Sequence, residues 1–196
     1  FIDIKCRSAG IRPSAAVLVA TVRALKFHGG VARESLSEEN LVALESGLAN
    51  LDRHIANIRD HYGVPVVVSI NQFIADTQAE IDLVTEHCRV RGVQVALSSH
   101  WADGGAGATE LAHMVAQLCE SDATPANAPH HSFVYEDSAS LWEKIETVAT
   151  TISGASEITA SSKVRDRLRE LTDGGYGHLP VWLAKAPYSF STDPAP

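Results

Sequence analysis

The feature that most constrains the fold is a regular alternation between short β-branched runs and long amphipathic segments. Continuous apolar runs occupy residues 15–21 (AAVLVAT), 64–70 (VPVVVSI) and 93–98 (VQVALS), a pattern typical of parallel strands covered on both faces. Residues 37–61 and 76–91 lie between these runs and repeat apolar positions every three or four residues, which predicts helices. This βαβαβ pattern predicts a three-layer α/β fold with a mostly parallel sheet.

Polar residues and glycines indicate where the two long helices begin and end. Asn40, together with Ser37, precedes the first apolar stripe and Asp76 precedes the second, so both are predicted to cap helix N-termini. Gly63 and Gly92 follow the stripes and are predicted to end the helices.

The rest of the chain suggests a division into two parts. We predict that residues 1–120 are part of an α/β domain. Residues 121–131, rich in Pro and Ala, are predicted to form a linker, and residues 132–196 a smaller α/β segment. Further elements are predicted by pattern: an edge strand in the alternating residues 1–7 (FIDIKCR), helices at 108–120, 138–152 and 161–172, and a strand at 179–185 (LPVWLAK).

Charge and cysteine content exclude several classes of protein. The net charge of −8 and pI near 5.5 provide no positive field for nucleic acid or an anionic membrane. The cysteines (Cys6, Cys88 and Cys119) are odd in number and widely spaced, which favours reduced thiols in the cytoplasm. No run approaches the roughly 20 apolar residues needed to span a bilayer. The histidines, including His130 and His131, lack ligand spacing, so no metal site is predicted.

Aromatic side chains follow two of the predicted strands. Phe73 lies just after one strand and Trp101 just after the next. Since ligands bind beyond the carboxyl ends of parallel strands, rings on neighbouring strands would face each other across about 7 Å and accept a planar heterocycle. The alternative is that both rings pack loops onto the core. Asn71 either reads the edge of a ligand or stabilises the turn.

Two further segments are candidates for binding anions. Arg23, Lys26 and His28 form a positive cluster in VRALKFHGG, which either contacts phosphate or carboxylate or is a solvated surface. Residues 103–110 (DGGAGATE) place glycines before a helix but lack the G-K-[ST] of a phosphate loop. Asp103 would repel a phosphate, so this second candidate is weak.

Six blocks in order together resemble one family. They are FIDIKCR, VLVATVRALKFHGG, ENLVALESGLANLDRHIANI, GVPVVVSINQFIADTQAEI, VALSSHWADGGAGATELA and GYGHLPVWLAKAPYSFS. The sequence is similar to the ATP-dependent formate–tetrahydrofolate ligases. This resemblance implies a P-loop nucleotide-binding α/β fold and formation of 10-formyltetrahydrofolate through formyl phosphate.

The resemblance also assigns roles to particular residues. It implies that Phe73 and Trp101 stack on the pterin of tetrahydrofolate, with Ile74 in the same slot. It places Lys185 and Ser189 on the nucleotide or phosphate side, where Asn71 and Arg23 are candidates from their position in the loops; the domain at residues 1–120 is then expected to bind nucleotide or folate. The implied ligands are ATP with Mg²⁺, tetrahydrofolate and a monovalent cation, and the full-length protein is expected to form a homo-oligomer.

The sequence departs from the family pattern at several loop positions, namely Ile74, Ala75, Asp103 and Ala186. Because the chain starts on Phe1 and resembles only a middle portion without the phosphate loop, we expect a fragment that is inactive alone. The alternatives are a non-catalytic folate- or nucleotide-binding module and a non-catalytic interaction domain.

Overall fold

The computed structural model describes residues 1–122 and 132–184. In chain order the elements are a π-helical turn (Ile2–Cys6), α1 (Arg7–Ala9), β1 (Ala16–Ala20), α2 (Val22–His28), a 3-10 turn (Arg33–Ser35), α3 (Leu41–Ala56), a π-helical turn (Asn57–His61), β2 (Val66–Asn71), α4 (Gln78–Val90), β3 (Gln94–Ser98), α5 (His100–Asp103), a 3-10 turn (Gly104–Ala108), α6 (Thr109–Asp122), α7 (Leu141–Thr147), a π-helical turn (Val148–Ile152), α8 (Ser162–Leu171) and a π-helical turn (Thr172–Tyr176). The described residues form two compact units, residues 13–122 and residues 1–12 with 132–184.

The first unit contains a parallel sheet of three strands in the order β1-β2-β3. Val68 of β2 lies between Leu18 of β1 and Val95 of β3, so the three predicted strands and the parallel α/β class are confirmed. Consecutive parallel strands need helical crossovers, and α3 and α4 supply them. No helix within the described residues is long and apolar enough to cross a membrane.

The core of this unit lies between the sheet and the crossover helices. Both predicted stripes supply it, because the inward positions of α3 and α4 are among the least exposed in the chain. On α3 these are Leu44, Leu48, Leu51 and Ile55, and on α4 they are Ile81, Val84 and Cys88.

Helices α2 and α3 pack so closely that one position in α3 has no room for a side chain. A Cβ added to Gly47 would lie 1.8 Å from the carbonyl oxygen of Leu25 in α2. The glycine is therefore required by the approach of two backbones, and it holds α2 against the crossover helix.

The two outer strands are less covered than predicted. All strand residues of β2 are buried except Asn71, whereas Val17 and Val19 of β1 are 42% and 60% exposed. Helix α6 contacts β2 and β3 and leaves this part of β1 uncovered. The expectation that all three strands are covered on both faces therefore holds only for the central strand.

All regular elements in the described residues of the second unit are helical. Residues 1–7, predicted to be an edge strand, form helical turns instead. Asp3 accepts a hydrogen bond from Val134 N–H at 2.9 Å, and the Arg7 guanidinium lies 4.0 Å from the centre of the Phe133 ring. The alternating pattern was misleading because these contacts are made one helical turn apart, on one face of a helix.

The strand predicted at 179–185 is also absent from its described part, residues 179–184. Side chains, rather than a neighbouring strand, satisfy this backbone. Val181 N–H donates to the Tyr135 hydroxyl at 3.2 Å, and Lys144 Nζ donates to the carbonyl of Leu179 at 3.2 Å. Pro180 has no N–H to give to a sheet, so the prediction of a strand is wrong for residues 179–184.

Candidate functional site

A cavity of about 860 Å³ lies at the carboxyl ends of β2 and β3. The two strands are neighbours, with Asn71 paired to Ser98 at their ends, so the loops that follow them diverge from a common edge. The volume falls within the roughly 300–1,000 Å³ of small-molecule sites. Its walls come from residues 71–75 and 99–103, and from Arg23, Arg33, Glu34, Leu36 and Ser37.

The loop after β2 is a tight turn closed by Asp76. The Asp76 carboxylate accepts a hydrogen bond from Phe73 N–H at 2.8 Å, and Asp76 N–H donates to the Phe73 carbonyl at 3.0 Å. Burial raises the pKa of the Asp76 carboxyl, although the hydrogen bond from Phe73 opposes that rise. The turn fixes the backbone of the residue that carries the aromatic ring.

Thr77, and not Asp76, caps helix α4. The Thr77 hydroxyl accepts from Glu80 N–H at 3.3 Å, while the Glu80 carboxylate accepts from Thr77 N–H at 3.1 Å, a reciprocal capping box. The prediction of Asp76 as the N-cap is wrong because its carboxylate is engaged one turn earlier, with Phe73.

Phe73 presents part of its ring to the cavity and part to a cation. Its side chain is 40% exposed, and the Arg23 guanidinium carbon lies 5.7 Å from the ring centre, within the range of a cation–π contact. Ile74, the next residue, is 93% exposed. A planar ligand on the exposed part of Phe73 would therefore lie close to a positive charge.

The loop after β3 carries Trp101, which is 79% exposed. Ser99 anchors the loop, because its hydroxyl donates to the Asp103 carboxylate at 2.6 Å and its N–H donates to the Gly107 carbonyl at 3.1 Å. A Cβ on Gly107 would lie 2.6 Å from the Ser99 carbonyl carbon, so this crossing requires glycine. The glycine-rich segment thus packs against the start of the Trp101 loop through Gly107 and Ser99.

The structure brings together five residues that the sequence nominated. Asn71, Phe73, Ile74, Trp101 and Arg23 all line the same cavity. The two other nominated positions, Lys185 and Ser189, lie outside the described residues.

The predicted surface cluster of Arg23, Lys26 and His28 does not form. Lys26 is fully buried, and its Nζ lies 2.7 Å from the Glu80 carboxylate. The prediction is wrong because Lys26, one turn from Arg23 on α2, is buried in an ion pair with Glu80. Of the three residues, Arg23 alone lines the cavity. A second cation at the cavity, Arg33, comes from the 3-10 turn after α2.

Sequence reasoning missed the wall formed by residues 33–37. The other loops were identified because ligands bind beyond the carboxyl ends of parallel strands. Residues 33–37 do not follow a strand, so this rule does not identify them. Gln72 and His100 also line the cavity. Both lie in the loops that follow β2 and β3, which the position of ligand sites beyond strand ends does identify.

Within residues 1–122 and 132–184, no cluster of three or more His, Cys, Asp or Glu side chains could hold a metal ion. The side chains that line the cavity include two aromatic rings, two amides, two guanidinium groups, an imidazole and two carboxylates. Such a site suits a planar, polar small molecule.

A parallel α/β sheet with a ligand-sized cavity beyond its strand ends is the arrangement in which open α/β proteins commonly bind small molecules. Comparison with known families then identifies the family of this chain. The chain belongs to the formate–tetrahydrofolate ligase family, whose sequence profile matches residues 1–196.

Curated relatives agree with this assignment. The chain is 57% identical over 194 residues to a formate–tetrahydrofolate ligase of Methylococcus capsulatus. It is 52% identical over 195 residues to that of Methylibium petroleiphilum and 48% identical over 195 residues to that of Pelagibacter ubique. These matches cover 99–100% of the chain but 34% of each relative, so the chain spans about a third of their length.

Proposed function

We propose that the polypeptide carrying these residues is a formate–tetrahydrofolate ligase, and that the cavity binds the pterin of tetrahydrofolate between Phe73 and Trp101. The observation that carries the proposal is that both rings, from the ends of adjacent parallel strands, line one cavity of about 860 Å³. Each aromatic contact with a flat ligand contributes about 0.5–1.5 kcal/mol beyond the area it buries. Ile74 extends the same apolar wall.

The polar residues of the cavity suit the phosphate-bearing partner of the reaction. The Asn71 amide offers both a donor and an acceptor. Arg23 supplies a guanidinium that pairs with phosphate or carboxylate oxygens in a forked geometry. We assign Asn71 and Arg23 to this side, together with Lys185 and Ser189, which the resemblance places there.

The proposed reaction has two steps. An oxygen of formate attacks the γ-phosphorus of ATP, and ADP leaves with the electrons of the broken P–O bond. N10 of tetrahydrofolate then attacks the carbonyl carbon of formyl phosphate, inorganic phosphate leaves, and the nitrogen loses its proton. Negative charge builds on the phosphoryl oxygens in the first step and on the carbonyl oxygen in the second, where cationic side chains stabilise it.

Other parts of the proposal follow from family membership. They are a P-loop type of nucleotide-binding fold, a monovalent cation, a homo-oligomeric state and a cytoplasmic location without nucleic-acid partners. Mg²⁺ enters with ATP and neutralises its phosphate oxygens.

The pterin slot is tested by replacing one of its walls. In the intact polypeptide, Trp101→Ala should weaken tetrahydrofolate binding by at least about 2-fold and up to about 13-fold from lost stacking alone. Binding is measured by calorimetry, and the quenching of tryptophan fluorescence by tetrahydrofolate should fall with it. Trp182→Ala is the matched control, because Trp182 is 83% exposed and belongs to the second unit. Equal affinities in wild type and Trp101→Ala would refute the slot.

Catalysis is tested by comparing the isolated chain with the intact polypeptide. The sequence contains no G-x-x-x-x-G-K-[ST] motif, so the 196-residue chain alone should hydrolyse no ATP in the presence of formate. The intact polypeptide should form 10-formyltetrahydrofolate from ATP, formate and tetrahydrofolate. Folate binding without turnover in the intact polypeptide would favour the non-catalytic binding module, and turnover by the isolated chain would contradict the assignment of the phosphate loop.

A further inference from the structure

Two oppositely charged side chains are fully buried directly behind the loops of the cavity. Lys26 on α2 and Glu80 on the first turn of α4 each have 0% exposure, and Lys26 Nζ lies 2.7 Å from Glu80 Oε1. Neither side chain lines the cavity. Burying two charges costs desolvation free energy, and in many proteins apolar residues replace such a pair without loss of stability. Stability alone therefore does not explain the pair, and its hydrogen bonds indicate a role in positioning.

The remaining hydrogen bonds of the pair support that role. Lys26 Nζ donates to the carbonyl of Glu38 at 2.8 Å. Glu80 Oε1 accepts from Asn40 N–H and Glu80 Oε2 accepts from Thr77 N–H, both at 3.1 Å. The pair thereby connects two segments of the cavity wall. One is the 33–40 segment, bound at Glu38 and Asn40, and the other is the Phe73 turn (residues 72–77), bound at Thr77.

The charge state of the pair fits this role. Burial by itself raises the pKa of the Glu80 carboxyl, but the hydrogen bonds from Lys26, Thr77 and Asn40 outweigh burial, so its pKa lies below the usual value. Glu80 is therefore ionised at neutral pH. Both oxygens of the ionised carboxylate accept hydrogen bonds, so they can bind the two backbone N–H groups and the Lys26 ammonium at the same time.

We propose that Lys26 and Glu80 are positioning residues that hold the 33–40 segment and the Phe73 turn at a fixed separation, so that the cavity is formed before its ligand arrives. The inference rests on the proposed function in so far as that ligand is tetrahydrofolate. The two residues act through the loops and touch no reacting atom. A ligand entering such a preformed cavity avoids the cost of ordering two loops.

The test uses three variants of the intact polypeptide. Lys26→Met/Glu80→Leu replaces the pair with apolar residues and removes all three tethers to the loops. Glu80→Gln keeps an acceptor oxygen but loses the charge, so its effects should be intermediate. Asp52→Asn is the matched control, because Asp52 joins α3 to the opposite end of α4 through Arg91 and His87 and does not line the cavity.

Two readouts distinguish positioning from general stabilisation. Without ligand, hydrogen exchange of the amides in residues 33–40 and 72–77 should accelerate by about 10-fold or more in the double variant, as expected for loss of a hydrogen bond to a charged group. Exchange in β2 and α3 should not change. The KM for tetrahydrofolate should rise by a similar factor with kcat nearly constant, and Asp52→Asn should match wild type in both readouts.

The outcomes are separable from those of the proposed function. Unchanged loop exchange in the double variant would overturn the positioning role, as would equal acceleration throughout the first unit. If the wild type failed to bind tetrahydrofolate, the proposed function would fail, yet loop exchange would still decide the role of the pair. If the single variant does not fold, the double variant decides alone.

Discussion

The packing of α2 on α3 leads to a prediction at Gly47. Replacing Gly47 with alanine places a methyl group 1.8 Å from the Leu25 carbonyl oxygen, 2.7 Å from its carbon and 3.2 Å from the Gly29 nitrogen. All three atoms belong to the backbone of α2 or its cap, so no flexible side chain can yield. The helix itself has to move.

The magnitude follows from two opposing effects. Overpacking of this kind costs about 1–3 kcal/mol, and contact with rigid backbone places Gly47→Ala at the upper end. Alanine in a helix interior recovers about 1 kcal/mol relative to glycine. The expected net loss in the free energy of unfolding is about 2 kcal/mol, or roughly a 30-fold change in the ratio of folded to unfolded protein.

The assay is hydrogen exchange of the α2 and α3 amides, which reports the free energy of local unfolding. Gly105→Ala is the matched control, because a Cβ at Gly105 meets nothing within 4 Å. Since α2 carries Arg23 into the cavity wall, tetrahydrofolate affinity should fall in Gly47→Ala as well. Equal exchange protection in the Gly47 and Gly105 variants would refute the close-approach argument.

Two other predictions concern ionisable groups of the first unit. Burial, with a smaller effect of Asp52, raises the pKa of the Cys88 thiol to about 11. At pH 8 Cys88 should therefore resist alkylation in the native state, while the partly exposed Cys119 reacts. Mass spectrometry measures the order of labelling, and labelling of Cys88 before Cys119 would contradict this prediction. Because the pKa of Glu80 is lowered on folding, its contribution to stability should be fully present above its usual pKa of 4.5 and be lost as the pH falls through its lower folded value. The difference in unfolding free energy between wild type and Glu80→Gln should therefore shrink as the pH falls from 7 to 3. If unfolding free energy depends on pH in the same way in both proteins, this contribution of Glu80 is excluded.

The elements predicted correctly are those in which local pattern and burial agree. The stripe from Leu44 to Ile55 is buried as expected, and Asn40 caps α3 by accepting from Ala43 N–H at 2.9 Å. Phe73 and Trp101 could be placed in one site because the carboxyl ends of parallel strands share an edge of the sheet. This rule needs only strand positions, which the apolar runs provide.

The incorrect predictions come from segments whose partners are distant in sequence. Residues 1–7 alternate like a strand, but Asp3 binds the backbone at Val134, more than a hundred residues away. Lys26 was expected at the surface because its neighbours Arg23 and His28 are polar, and it is buried because Glu80 lies opposite. Local periodicity carries no information about such partners.

The sequence by itself determined the class of fold, the family and the two aromatic residues at the strand ends, because apolar periodicity and loop position depend only on neighbours along the chain. Only the tertiary structure decided that residues 33–37 complete the cavity and that Lys26 and Glu80 are paired behind it. The physical reason is that burial and ion pairing depend on which segments meet in space. A charged residue on a short helix has the same local sequence whether it faces water or a carboxylate, and only the packed structure distinguishes the two.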